Sequence, residues 1–190
     1  MSVFTIILII AELAAAGFFL GRRRAIRAVD GDTRNLHSRP NYYGMSVALA
    51  VAIPSFLLLC VWVLVQPIVI DNFVSAGFPA DAIPEGSTVG LLMGDVERLA
   101  EGLAQLRDRE SLSQAEIASL TAEDDIRGLL GTVGLALGSD VTPATLDAAR
   151  DMRVLTDRGN LGMMVAVLVV AAIGFLLALR RVQPDRRARN

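Results

Sequence analysis

Three apolar runs, at residues 3–20, 45–70 and 161–179, constrain this chain more than any other feature, because each is long enough to cross a bilayer as a helix. As helices the first would measure about 27 Å and the second about 37 Å, so the second has length to spare for tilt or for reaching into the headgroups. Pro54 is positioned to kink the second run and Pro67 to end it. Gly159-Asn160 reads as a break ahead of the third run, which holds no charge before Arg180 and Arg181. A hydrophobic content of 53% and a mean hydropathy of +0.51 would be high for a soluble domain. Here they reflect segregation, since charges and turn residues fill the intervening segments.

The arginines give the runs a direction. All eighteen basic residues are arginine, and two short segments concentrate them. One holds Arg22, Arg23, Arg24, Arg27, Arg34 and Arg39 against Asp30 and Asp32; the other holds Arg180, Arg181, Arg186, Arg187 and Arg189 against Asp185. The positive-inside rule puts both in the cytoplasm. The first run has no basic segment ahead of it and a basic cluster behind it, the reverse of a secretory signal. The expected layout is an all-α membrane protein of the bacterial inner membrane, with its amino terminus outside and its carboxyl terminus cytoplasmic. It has a transmembrane helix over 1–21, a cytoplasmic basic loop over 22–44 and a second transmembrane helix over 45–70. A periplasmic helical domain over 71–160, a third transmembrane helix over 161–179 and a cytoplasmic basic tail over 180–190 complete it.

Within residues 71–160, Val89, Leu92, Met93, Val96, Leu99, Leu103 and Leu106 fall on one stripe, predicting an amphipathic helix over 88–109. Ser113 with Glu116 forms a capping-box pattern for a second helix, and Thr121 with Glu123 and Asp124 offers the start of a third running toward Gly138. Thr142-Pro143 is a cap and first-turn pair opening a fourth. The sixteen acidic residues of this segment lie at helix-surface positions beside seven arginines, without EF-hand spacing. The apolar stripe reads as internal packing, with docking of a partner as the alternative if the bundle is incomplete.

Chemistry-bearing patterns are few. The sole cysteine, Cys60, sits inside the second run, and the sole histidine, His37, has no Cys, Asp or Glu at ligand spacing, so neither metal nor cofactor is expected. There is no lysine for a P-loop and no G-x-S-x-G or H-E-x-x-H motif, so the chain is not expected to be an enzyme. A formal charge of −2, with no basic face interleaved with aromatics, gives no basis for nucleic-acid binding. Glu12 is the one carboxyl group within an apolar run. It reads either as a functional group or as a structural carboxyl that protonates, snorkels or bonds a neighbouring helix.

The segment Leu36-His37-Ser38-Arg39-Pro40-Asn41-Tyr42-Tyr43-Gly44, entering the second run, resembles a motif of long forms of the phosphate ABC transporter permease subunit of the PstC type. That family is similar in layout, with extra amino-terminal hydrophobic helices and an extracytoplasmic segment ahead of a six-helix permease core. Arg187-Ala188-Arg189-Asn190 is similar to the junction preceding that core. The resemblance implies a part in phosphate import beside a second permease subunit, a cytoplasmic ATPase and a periplasmic phosphate-binding protein. The family's Glu-Ala-Ala coupling loop has no counterpart here, so the expectation is an amino-terminal region that lacks the translocation path and acts by packing or docking. On their own chemistry, Pro40 stiffens the approach to the membrane, Gly44 allows a turn, and Arg39, Tyr42 and Tyr43 suit lipid headgroups. His37, Ser38 and Arg39 offer contacts to another subunit as the alternative. A membrane sensor or scaffold with an extracytoplasmic interaction domain, and an assembly factor for another complex, are the competing functions.

Overall fold

The computed structural model describes residues 3–28, 39–79, 83 and 88–181. Among these the chain is all-α, with six helices in the order α1 (Val3–Arg27), α2 (Pro40–Ala76), α3 (Val89–Asp108), α4 (Gln114–Ser119), α5 (Ile126–Thr132) and α6 (Pro143–Arg181). Helices α1, α2 and α6 are long and apolar enough to cross a membrane. The chain divides into one unit of residues 1–63 and 160–190 and another of residues 64–159.

The first unit is built from α1, the opening part of α2 and the closing part of α6. Ile6, Ile10, Leu59, Met163 and Val167 form one buried cluster, and Ala25 and Val47 form another with Tyr43, Phe175, Ala178 and Leu179 against them. The opposite faces carry large exposed apolar side chains such as Leu8, Phe19, Ile53, Leu57, Val169 and Leu176. A surface this apolar is stable only in lipid or against further helices. Lipid supplies no hydrophobic drive between helices, so close backbone approach takes its place. Gly44 makes such an approach: a β-carbon there would lie 2.6 Å from the Phe18 carbonyl oxygen. The expectation of a turn at Gly44 is therefore corrected, because the residue sits inside α2 and is small to admit α1.

Two boundaries also differ from expectation. Helix α2 continues past Pro67 to Ala76. The proline removes one backbone donor, but Ile70 and Val74 beyond it are packed in the core of the second unit, which holds the helix together. Helix α6 runs unbroken through Gly159-Asn160. Gly159 is there for clearance, since a β-carbon would fall 2.8 Å from the Gln66 side chain of α2.

The second unit closes a small core. Val96, Leu99, Leu103 and Leu106 of α3 meet Ile117, Ile126 and Leu130 from α4 and α5, and Leu146, Ala149 and Met152 from α6. The caps are explicit. Thr88 Oγ1 accepts from the Leu91 N–H, and Ser113 Oγ accepts from the Glu116 N–H at 3.2 Å while Glu116 returns a carboxylate to the Ser113 N–H at 2.7 Å. These bonds hold the Glu116 carboxyl below its ordinary pKa, the Ser113 contacts outweighing slight desolvation. Thr142 Oγ1 accepts from the Thr145 N–H at 3.2 Å at the start of α6. The third predicted helix is shorter and begins later than expected. Thr121 spends both its N–H (2.6 Å) and its hydroxyl (3.0 Å) on the Asp124 carboxylate, and Asp125 becomes the N-cap. The helix stops at Thr132 ahead of Gly134, whose φ of 82° belongs to the left-handed region.

Polar ties join these helices. Arg107 donates to Asp157 at 2.7 Å, linking α3 to α6. Arg150 donates to the carbonyl oxygens of Ile117 and Leu120, satisfying the end of α4. Asp95 accepts from the Gly138 N–H at 3.0 Å and from the Ser139 hydroxyl at 2.5 Å, fastening the chain between α5 and α6 onto α3.

Candidate functional site

Helix α1 fixes where Glu12 points. Ile6, Ile10, Gly17 and Gly21 form its buried face, so position 12, some 200° from position 10 at 100° per residue, falls on the opposite side. Glu12 is exposed, and among the described residues nothing bonds its carboxyl group. Ala11, Ala15 and Ala16 are exposed around it, giving a patch where the helix surface is low and a single acid projects. Small residues at i and i+4 are what a neighbouring transmembrane helix needs to approach closely, and a polar group beside them adds an interhelical hydrogen bond. The expectation singled out Glu12 as the one acid in an apolar run; the structure adds the small exposed residues around it. The direction of Glu12, away from α2 and α6, was not legible from a run that is apolar on every side.

The cluster around the second run separates into residues with different surroundings. His37 and Ser38 lie outside the described residues. Arg39 is exposed, and its carbonyl oxygen accepts from the Tyr42 N–H at 2.9 Å as α2 begins at Pro40. Tyr42 is 67% exposed, whereas Tyr43 is half-buried against Ala25 and Val47. Tyr42 is thus the more exposed of the pair, and Tyr43 is the one packed against its neighbours. Arg22, Arg23, Arg24, Arg27, Arg180 and Arg181, at the carboxyl ends of α1 and α6, are all exposed. Their charge also suits the negative ends of those helix dipoles.

A feature absent from the sequence reading lies between α2 and α6. A groove of about 570 Å³ runs along them, with Tyr43, Ser46 and Arg181 at one end and Pro54 and Val170 at the other. Its walls come from segments more than a hundred residues apart, which no local pattern connects. The helices close on each other where Gly174 faces the Ala50 carbonyl, and the groove opens beside that contact. Among the described residues, no group of three or more His, Cys, Asp or Glu side chains is arranged to hold a metal ion.

No curated protein and no solved structure matches the chain. A protein-family model does, over residues 7–176, a stretch that holds α2 and the small helical unit whole and most of α1 and α6. With three long apolar helices, an apolar outer surface and that match, this membrane protein belongs to the family described as phosphate ATP-binding cassette transporter.

Proposed function

We propose that the chain is the amino-terminal membrane region of a PstC-type phosphate permease and serves import as a packing and docking element. The observation that carries this reading is the Glu12 patch, an acid with no partner among the described residues, set among Ala11, Ala15 and Ala16 on the exposed side of α1. A carboxyl group in hydrocarbon is costly, and a donor on a helix of the permease core or of the second permease subunit relieves that cost. In this reading the protein resides in the bacterial inner membrane with both arginine clusters in the cytoplasm. Residues 71–160 then face the periplasm, where the helical unit is available to the phosphate-binding protein. The translocation path and the loop that couples to the ATPase belong to other helices of the importer.

Cross-linking in native membranes of the intact reading frame tests this. An Ala15→Cys variant, in a Cys60→Ala background, is expected to cross-link to a permease helix. Glu12→Leu is expected to weaken co-purification of the second permease subunit and the ATPase by about tenfold, the size of a 1–2 kcal/mol interhelical hydrogen bond. Free labelling of Ala15→Cys by a lipid-soluble maleimide, with no cross-link and unchanged co-purification of Glu12→Leu, overturns the reading.

A further inference from the structure

We infer that the groove between α2 and α6 is a binding site for one anionic phospholipid, with its phosphate at Arg181 and Tyr43 and an acyl chain laid toward Pro54. The groove is chemically polarised. Arg181 makes no ion pair among the described residues, and the Tyr43 hydroxyl is unbonded among them, so a guanidinium and a phenol donor stand together at one end. Ser46 lines the same end but gives its hydroxyl proton to the Tyr43 carbonyl at 2.9 Å, so Arg181 and the Tyr43 phenol are the donors facing a phosphate there. The rest of the wall is apolar, including Ala50, Val170, Ile173 and Leu177.

Dimensions select the occupant. From Tyr43 to Pro54 on α2, and from Arg181 to Val170 on α6, the axial distance is about 16 Å, a length suited to an acyl chain below its headgroup. A transmembrane helix would need apolar or small-residue contact along the whole groove, whereas here cation and hydroxyl groups meet at one end only, the pattern of a lipid headgroup above its acyl chain. Basic pockets between transmembrane helices recognise anionic headgroups by this combination of charge and apolar floor. Gly174 keeps the site shaped: its contact with the Ala50 carbonyl sets the helix separation that leaves the groove open beside it.

Native mass spectrometry of the full-length protein in mild detergent, supplied with phosphatidylglycerol or phosphatidylcholine, tests the site. Wild type is expected to retain one phosphatidylglycerol and to prefer it at least tenfold over phosphatidylcholine. Arg181→Gln, an exposed substitution that leaves the helix contacts intact, is expected to lose that preference, while Arg180→Gln, at a residue that does not line the groove, keeps it. Millimolar inorganic phosphate is expected not to displace the lipid. Equal retention of both lipids, an unchanged preference in Arg181→Gln, displacement by inorganic phosphate, or cross-linking of Ile173→Cys to a partner helix in place of a lipid adduct would each overturn the assignment.

Discussion

Gly174 of α6 lies directly against the backbone of Ala50 in α2: a β-carbon on Gly174 would overlap the Ala50 carbonyl oxygen, which is backbone and cannot rotate away. Replacement of Gly174 by Leu must therefore move one helix. In detergent the variant is expected to unfold at a lower temperature, by about 1–3 kcal/mol as overpacking generally costs, and to lose the α2–α6 groove. Unchanged thermal stability would mean that the two helices are not held at this crossing.

The helical unit has an equivalent contact. A β-carbon at Gly102 would overlap Leu130 Cδ2 and lie 3.3 Å from Leu135 Cδ1. Gly102→Ala is expected to destabilise by about 1–3 kcal/mol, and in a Leu130→Ala background, which makes room, the same change is expected to cost much less. Gly94, in the same helix with nothing within 4 Å of its β-carbon position, behaves oppositely. Gly94→Ala stabilises by about 0.5–1 kcal/mol through backbone entropy. Denaturant titration of the three variants and the double mutant checks the set, and strict additivity of Gly102→Ala with Leu130→Ala would refute the contact.

Asp95 gives the unit an acid limb. Burial alone would raise its pKa, but hydrogen bonds from the Ser139 hydroxyl and the Gly138 N–H, helped by Arg98, outweigh desolvation and leave it below the ordinary 3.8. A carboxyl with a depressed folded pKa stabilises the fold fully above the unfolded value and loses that contribution as pH falls through the folded value. Asp95→Asn is expected to cost about 1–3 kcal/mol at neutral pH and to flatten unfolding free energy below about pH 4. Parallel acid limbs in wild type and variant would show that Asp95 is not a source of the pH dependence.

What the sequence disclosed follows from how local each signal is. The three long helices were legible because a run of some twenty apolar residues has few other folds open to it. Ser113 and Thr142 were legible as caps because their hydroxyls need only an N–H two or three residues on. Gly44, Gly159 and Pro67 misled because a local rule treats them as punctuation. In the fold the two glycines are clearances for Phe18 and Gln66, contacts with residues distant in sequence, and Pro67 is carried by packing on either side of it. Thr121 misled because its partner, Asp124, bonds back to it and passes the capping role to Asp125. The Glu12 residue was visible in the sequence and its outward direction was not; the lipid groove was invisible, since Tyr43 and Arg181 meet only through tertiary structure.

The most direct test of the central claim, that the arginine clusters stay in the cytoplasm while the helical unit lies across the membrane, is thiol labelling of intact cells with an impermeant maleimide. Single cysteines at two exposed positions, Glu110 and Arg24, in a Cys60→Ala background report the two sides. Glu110→Cys is expected to label in intact spheroplasts and Arg24→Cys only after lysis. Labelling of Arg24→Cys from outside, with Glu110→Cys protected until lysis, would contradict the arrangement and the docking role built on it.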